Sequence, residues 1–338
     1  MKVDGGIGVS GGLSGVSGSA REQEQQGYDG LWVPETNHDP FIALALMAEA
    51  TGRVDLGTSI VVAFARNPMS LAYSANDIQL LSEGRFILGL GSQIRPHITK
   101  RFSMEWSRPA ARMREMVLAM QAIWRSWNER EPLRFRGEFY RHTLMTPFFD
   151  PGPNPHGPPR IALAGVGEKM TQVAGEVADV FLCHGFTTER YLREVTIPAL
   201  SEGAARAGRT LSDIEISGPS FIVTGTDADE MARAAEATRR QIAFYGSTPA
   251  YRGVLELHGW GDLQPELNRL SKQGAWKEMG DLITEEMLHT FAVVAPPEEV
   301  AAELHRRFGD IVDRISFYAP YESDPARWRD IFDQIKAA

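Results

Sequence analysis

The sequence predicts an α/β protein, a (β/α)8 TIM barrel with inserted segments. Short apolar, β-branched runs alternate with helical patterns along almost all of the 338 residues. The stretch from Val54 to Arg101 shows this unit most clearly, because two apolar runs flank a helical segment and each run passes into Gly, Ser or Arg. Eight strands, each followed by a helix, form a barrel whose active site lies just past the carboxyl ends of the strands.

Eight apolar runs of strand length are predicted as the barrel strands. In chain order they are Lys2–Asp4, Gly30–Pro34, Val54–Val62, Phe86–Gly89, Arg160–Ala164, Val180–Cys183, Glu215–Val223 and Arg314–Phe317. Segments with helical spacing of apolar residues lie between the strands and after the last one. They are Ser17–Gln26, Phe41–Thr51, Met69–Ser82, Pro109–Trp127, Glu168–Val177, Glu189–Ala207, Ala228–Tyr245, Pro297–Phe308 and Pro325–Lys336.

Two segments interrupt this alternation. Residues 133–159 are rich in Pro, Gly and aromatic residues, which indicates a hairpin followed by a long loop. Residues 247–290 form a helical insertion broken by glycines. Insertions of this length are lids, substrate walls, oligomer contacts or packed decorations. We therefore expect a single domain over residues 1–338 with two insertions.

The composition limits the class of protein. The net charge of −9 and the pI of about 5.5 argue against a nucleic-acid partner. Cys183 is the only cysteine, so an intrachain disulfide is impossible and a cytoplasmic location is expected. We also expect no secretory signal and no membrane partner, because the longest apolar run, near Ile42–Ala48, is too short to span a bilayer.

Several familiar motifs are absent or misleading. Gly6 to Gly11 match G-x-G-x-x-G, but only a few residues precede them and more glycines follow, so a loop at the barrel mouth is favoured over a dinucleotide fold. The histidines have no zinc-site spacing, and we predict no metal. No G-x-S-x-G elbow occurs. The chemistry of an enzyme with this sequence is therefore expected from a bound organic cofactor.

Two strand ends carry candidate polar chemistry. After strand 2, Asp39 suits a helix N-cap, whereas Glu35, Asn37 and His38 are free for hydrogen bonding or acid–base work. After strand 5, small residues at 165–167 precede a helix, whose first N–H groups favour a phosphate. We therefore predict a phosphate site in this second segment, with a tight turn as the alternative.

Three motifs carry a resemblance to a known family. They are ETNHDPF at 35–41, GTSIVVAFARNP at 57–68 and SEGRFILGLGSQ at 82–93. The chain resembles the bacterial luciferase-like monooxygenase superfamily and, within it, the coenzyme F420-dependent oxidoreductases. The likeness covers most of the chain, including the helix starts at 107–113 and 295–300. Relatives bind FMN on the same barrel, so the motifs are more specific for the superfamily than for the cofactor.

The resemblance implies a set of cofactor-binding residues. It places a non-prolyl cis peptide at Ser59–Ile60, next to Val61, behind the deazaflavin ring. The strand 2 carboxylate of the family falls on Glu35, where many relatives have Asp, with Asn37 nearby. The glycine-rich end of strand 4 and the phosphate loop complete the set with Gly91, Ser92, Gln93, Gly165, Val166, Gly167, Glu168 and Lys169.

The resemblance also implies a site for the anionic tail of the coenzyme and candidate catalytic residues. Arg95, His97, Lys100 and Arg101 form a basic cluster after strand 4, which suits the phosphodiester and glutamate tail of F420 or is simply a solvated loop. Glu35 and His38 are the candidate catalytic residues. Some relatives have a catalytic His immediately after the strand 2 acid, whereas His38 is displaced from that position by two residues.

The function implied is hydride transfer between F420 and a small organic substrate, by a homodimer. The lack of an acid at Gln93 argues against a sugar phosphate as the substrate. Two alternatives stay open: an FMN-dependent luciferase-like monooxygenase, and a catalytically silent flavin-binding subunit.

Overall fold

Eight parallel strands form a closed barrel in the computed structural model of the chain, which describes residues 1–337. Each strand pairs with the next, and the last pairs with the first through Lys2 and Arg314. The barrel strands are β1 (Lys2–Gly6), β2 (Gly30–Val33), β3 (Asp55–Thr58), β4 (Phe86–Gly91), β5 (Arg160–Gly165), β6 (Val180–Cys183), β7 (Glu215–Val223) and β8 (Arg314–Tyr318). The predicted (β/α)8 TIM barrel is confirmed.

Helices surround the barrel and also fill the second insertion. They are α1 (Val16–Gln25), α2 (Pro40–Ala50), α3 (Pro68–Leu81), α4 (Pro109–Glu129), α5 (Glu168–Val177), α6 (Glu189–Tyr191), α7 (Ile197–Arg206), α8 (Ala228–Gly246), α9 (Arg252–Leu257), α10 (Leu263–Gln273), α11 (Trp276–Asp281), α12 (Glu285–Phe291), α13 (Pro297–Phe308) and α14 (Pro325–Ala337). Leu192–Thr196 and His97–Arg101 form π-helical turns, and Ala63–Ala65, Leu211–Asp213 and Pro249–Tyr251 are short 3-10 turns. No helix within residues 1–337 has the length and apolar character needed to cross a membrane.

The chain differs from the predicted elements at two strands. The prediction of one strand over Val54–Val62 is wrong, because β3 ends at Thr58 and a separate two-residue strand, Val61–Val62, pairs with the end of β4. An additional strand, Ala292–Val294, pairs with the end of β7 and was not predicted. The first insertion contains a small antiparallel hairpin, Phe135–Arg136 with Arg141–His142.

The barrel is filled by apolar side chains at its centre and closed by charges at one end. Trp32, Ile87 and Leu182 belong to the interior cluster. Below them, the fully buried Arg314 binds both carboxylate oxygens of Asp4 at 2.7 and 2.8 Å. It also contacts Asp55 and Glu215 at the amino ends of their strands. This ion network fills the amino end of the barrel, so the space for a ligand lies at the carboxyl end.

Candidate active site

A cavity of about 710 Å3 reaches from the barrel interior to a groove between α1 and α14 outside the barrel. Its inner wall includes Trp32, Pro34, Ser59, Cys183 and Tyr318, which come from four different barrel strands and the loops that follow them. Cavities of several hundred Å3 hold cofactors and other small molecules. The inner part of this cavity lies at the carboxyl ends of the strands, and an active site there stays a prediction.

The end of β3 forms one wall of this site. The peptide bond between Ser59 and Ile60 is cis, as the resemblance implied. The Glu35 N–H donates to the Ile60 carbonyl oxygen at 3.1 Å, and the Ser59 N–H donates to Val33 at 2.9 Å. A Cβ on Gly91 would lie 2.7 Å from the Ile60 side chain. Gly91 therefore leaves room for the Ile60 side chain, and its contact with a cofactor stays a prediction.

The Glu35 carboxylate is bound on both of its oxygens. One oxygen accepts the Val62 N–H at 2.7 Å, and the other contacts Arg66 at 3.1 Å. Arg66 also binds Asp39 at 2.9 Å. Asp39 caps α2, as predicted, by accepting the Phe41 N–H at 2.9 Å. The Glu35 side chain, 9% exposed, thus connects the end of β2 to the segment that follows β3.

The other predicted residues near strands 2 and 4 lie on the rim. His38 is half-buried and forms no side-chain hydrogen bond within the described residues, and Asn37 is exposed. Gln93 adopts a left-handed backbone with φ 56°, and its carbonyl accepts from the Ser92 hydroxyl at 3.1 Å. His97 is exposed at the start of its π-helical turn.

The predicted basic cluster lies on the same side of the mouth. Arg101 donates to the Thr36 carbonyl oxygen at 2.6 Å, which joins the loop after β4 to the loop after β2. Arg95 and Lys100 are exposed and form no ion pair with another part of residues 1–337. Their positive charge is therefore available to an anion at the rim.

The predicted phosphate loop forms the amino end of α5. Gly167 is the N-cap, and its carbonyl accepts the N–H groups of Met170 and Thr171 at 3.1 Å each. Within the described chain the N–H groups of Glu168 and Lys169 have no acceptor. Free N–H groups and the positive end of the helix dipole favour an anion.

A second cavity, of about 370 Å3, adjoins this helix start. Val166, Gly167 and Glu168 form one side of it, and Tyr191 and Tyr251 contribute to the other. Tyr251 comes from the second insertion, which therefore covers the predicted phosphate loop. The Tyr191 hydroxyl donates to the Val166 carbonyl oxygen at 3.1 Å and fixes the loop in this position.

A group of aromatic side chains lies beside the end of β6, and sequence reasoning did not assign it to the site. His184 follows the cavity residue Cys183, and its ring contacts those of Tyr245 and Tyr251 at centroid distances of 4.7 and 4.6 Å. The Tyr245 and Tyr318 hydroxyls are 2.7 Å apart. The three tyrosines lie more than 60 residues from His184 in the chain, so no local sequence pattern links them to this position.

Burial controls the protonation of these groups. It lowers the pKa of His184 to about 4, so the imidazole is neutral at pH 7. Its Nδ1 accepts the Phe186 N–H at 3.0 Å, which places the proton on Nε2. Burial raises the pKa of Cys183 to about 12, so this residue is a thiol rather than a thiolate. Residues 1–337 contain no cluster of three or more His, Cys, Asp or Glu arranged to hold a metal ion.

A closed barrel of eight parallel strands, with a ligand-sized cavity and a helix start that favours anions, defines the chain as a (β/α)8 barrel protein with a candidate ligand site. The family model for luciferase-like monooxygenases matches residues 1–314, and the chain belongs to this family. The resemblance noted in the sequence is thus confirmed at the level of the superfamily.

Relatives cover nearly the whole chain. An uncharacterized protein of Mycobacterium tuberculosis is 54% identical over 315 residues, which are 93% of this chain and 92% of that protein. The 5,10-methylenetetrahydromethanopterin reductase of Archaeoglobus fulgidus is 26% identical over 291 residues, 83% and 82% of the two chains. The structure of coenzyme F420 dependent tetrahydromethanopterin reductase from Methanopyrus kandleri matches with a TM-score of 0.79 and 20% identity, covering 98% of this chain and 97% of that chain, and shows the shared fold.

Proposed function

We propose that the chain is an oxidoreductase that transfers a hydride between coenzyme F420 and a small organic substrate. The observation that carries the proposal is the pairing of the 710 Å3 cavity at Ser59 with the free N–H groups at the start of α5. A flat redox ring with an anionic tether requires this combination. The similarity to an F420-dependent class of reductases supports the choice of cofactor.

The residues present fit this cofactor. We propose that its ring lies beside Ser59, Ile60 and Val61, with Glu35 and Asn37 at the edge and Gly91, Ser92 and Gln93 next to it. Its phosphate would be held by the loop formed by Gly165, Val166, Gly167, Glu168 and Lys169. His97 and the neighbouring basic side chains would receive the charged tail.

F420, when bound, supplies a two-electron hydride donor or acceptor, and the protein positions it. Because both Glu35 oxygens are bound by the chain itself, we propose that this residue acts by fixing the segment after β3 rather than by moving a proton. His38 has an imidazole without a hydrogen-bond partner within the described residues, so it is the proposed proton-transfer residue at the rim.

The second candidate function is an FMN-dependent monooxygenase, which the description of the family favours. The exposed Arg95 and Lys100 favour F420, because FMN carries no anionic chain beyond its phosphate to occupy them. A catalytically silent flavin-binding subunit would keep the cavity and bind a cofactor but show no turnover.

Anaerobic turnover separates these functions. Reduced F420 is mixed with the protein and a panel of small carbonyl compounds, and oxidised F420 is mixed with the corresponding alcohols. We expect protein-dependent oxidation or reduction of F420 with at least one pair and, in a parallel assay in air, no protein-dependent incorporation of oxygen into these compounds with reduced FMN. Oxygen incorporation with FMN and no reaction of F420 would establish the monooxygenase, and the absence of both reactions would support the silent subunit. We also expect a homodimer by light scattering.

A further inference from the structure

The barrel wall is open between its first and last strands at the carboxyl end. β1 and β8 pair from Lys2 and Arg314 to Asp4 and Ser316, and no pairing follows. Both strands nevertheless continue, to Gly6 and Tyr318. Because neighbouring strands normally stay paired around a closed barrel, this separation leaves a gap in the wall.

The large cavity continues through this gap to the surface of the protein. Its inner part is bounded by Ser59 and Cys183, and its outer part by side chains of two helices outside the barrel. The outer side chains are Ser19, Glu22, Gln23 and Gln26 on or next to α1, and Pro325, Trp328 and Arg329 on α14. We call this passage the lateral opening.

Gly6 keeps the inner end of the lateral opening wide. It lies on the same face of β1 as Asp4, which points into the barrel, because side chains alternate along a strand. A Cβ on Gly6 would meet no atom within 4 Å, and its backbone φ is not in the left-handed region. A side chain is therefore permitted at this position, yet the space is empty.

The charges at the lateral opening lie at its outer end. Arg329 pairs with Asp333 at 2.8 Å, and the exposed Glu22, which accepts from the Gln26 amide at 3.3 Å, forms no ion pair within residues 1–337 and would repel an anion. The remaining surface is formed by amides, hydroxyls and the rings of Trp328 and Phe317, whose centroids are 5.7 Å apart. This chemistry suits a neutral ligand with an apolar body, in contrast to the helix start at α5, which favours an anion.

We propose that the lateral opening admits a neutral, elongated organic substrate to the barrel interior beside Ser59. The identity of this ligand as a redox substrate rests on the proposed function, whereas the route and its preference for neutral molecules do not. The anionic cofactor and the substrate would thus enter at different places, so that a bound cofactor does not block the substrate.

Ser316→Cys in a Cys183→Ala background reports on this route, because Ser316 borders the cavity and lies on the same inward face of β8 as Arg314. The thiolate of the introduced residue attacks methyl methanethiosulfonate, a neutral reagent, to form a mixed disulfide and release methanesulfinate. The rate is followed by mass spectrometry on the cofactor-free protein. The same cysteine reacts in each variant, so the ratios of rates report access.

Two sets of variants block the lateral opening at its two ends. Ser19→Trp with Glu22→Trp covers the outer end, and Gly6→Leu fills the inner end. Arg21→Trp with Gln25→Trp is the matched control, because both residues are exposed on α1 and do not border the cavity. We expect about tenfold slower labelling in both blocked proteins and an unchanged rate in the control. Thermal melting verifies that each variant is folded.

Each outcome decides the proposal. An unchanged labelling rate after Ser19→Trp and Glu22→Trp would overturn it, including the case in which Gly6→Leu alone is slow, because the reagent would then enter through the mouth. If Gly6→Leu does not fold, the surface pair and its control still decide. The anionic reagent 2-sulfonatoethyl methanethiosulfonate tests the preference for neutral ligands. Its labelling rate, divided by its rate with free cysteine, should be at least about tenfold lower than the same ratio for the neutral reagent. Equal ratios would overturn this preference. A protein that shows the expected labelling but does not bind F420 would contradict only the proposed function.

Discussion

Replacing Glu35 tests whether this carboxylate positions the site or takes part in proton transfer. In Glu35→Ala the Val62 N–H, which now donates at 2.7 Å, loses its acceptor, and Arg66 loses one of its two partners. A hydrogen bond to a charged group contributes about 1.5–3 kcal/mol, and a buried N–H without an acceptor costs about 1–3 kcal/mol. We therefore expect the free energy of unfolding to fall by about 2–4 kcal/mol in this variant.

Glu35→Gln keeps an oxygen that accepts the Val62 N–H and loses only the negative charge that faces Arg66. We expect it to lower the free energy of unfolding by about 1 kcal/mol and to retain both F420 binding and turnover. Urea unfolding followed by tryptophan fluorescence, together with an F420 titration, measures both variants. Glu236→Ala is the control, since this exposed carboxylate pairs only with Arg240 on its own helix and should change stability by less than about 1 kcal/mol.

The reasoning would be refuted by a Glu35→Ala protein that is as stable as the wild type and binds F420 equally well. A Glu35→Gln protein that binds F420 normally but shows no turnover would instead assign the carboxylate to proton transfer.

Three further predictions concern single positions. Gly89→Ala places a Cβ on the Thr58 carbonyl oxygen, so we expect a loss of more than about 3 kcal/mol of stability or no folded protein, measured by circular dichroism. Gly167→Asp puts a negative charge at the N-cap of α5 and should weaken F420 binding at least about tenfold, whereas Gly15→Asp, the same change at the N-cap of α1, should not alter it. Burial raises the pKa of Glu215, but hydrogen bonds from a lysine and an arginine and the charge of a second arginine lower it overall to about 2. Its contribution, about 2 kcal/mol after screening by solvent, should be complete above about pH 4.5 and disappear as the pH falls towards 2, so urea unfolding of wild type and Glu215→Gln should converge at low pH.

The regular elements were predictable because their signals are local. Val180–Cys183 and Glu215–Val223 have the predicted bounds, as does helix Glu168–Val177. Each of these segments is either a continuous apolar run or has apolar residues that recur with a period of two or 3.6. Each is also flanked by residues that end the element. The same information sufficed to place the candidate site at the carboxyl ends of the strands.

Features that depend on distant contacts were not predictable from a local pattern. The break after Thr58 follows from the contacts of Ile60 with Gly91 and with the Glu35 N–H, which lie at least 25 residues away in the chain. Both bonds of the Glu35 carboxylate likewise join separate parts of the sequence. The aromatic surroundings of His184 come from α8 and from the second insertion, where apolar spacing alone does not indicate which face a ring occupies.

The most direct test of the proposed function is an equilibrium titration of the purified protein with F420 and with FMN, followed by fluorescence. The site predicts saturable binding of F420 at one site per chain, at least about tenfold tighter than binding of FMN, and weakened by added phosphate at the start of α5. Tight binding of FMN with no response to F420 would contradict the choice of cofactor, and no binding of either would contradict the proposal that this cavity holds a redox ring.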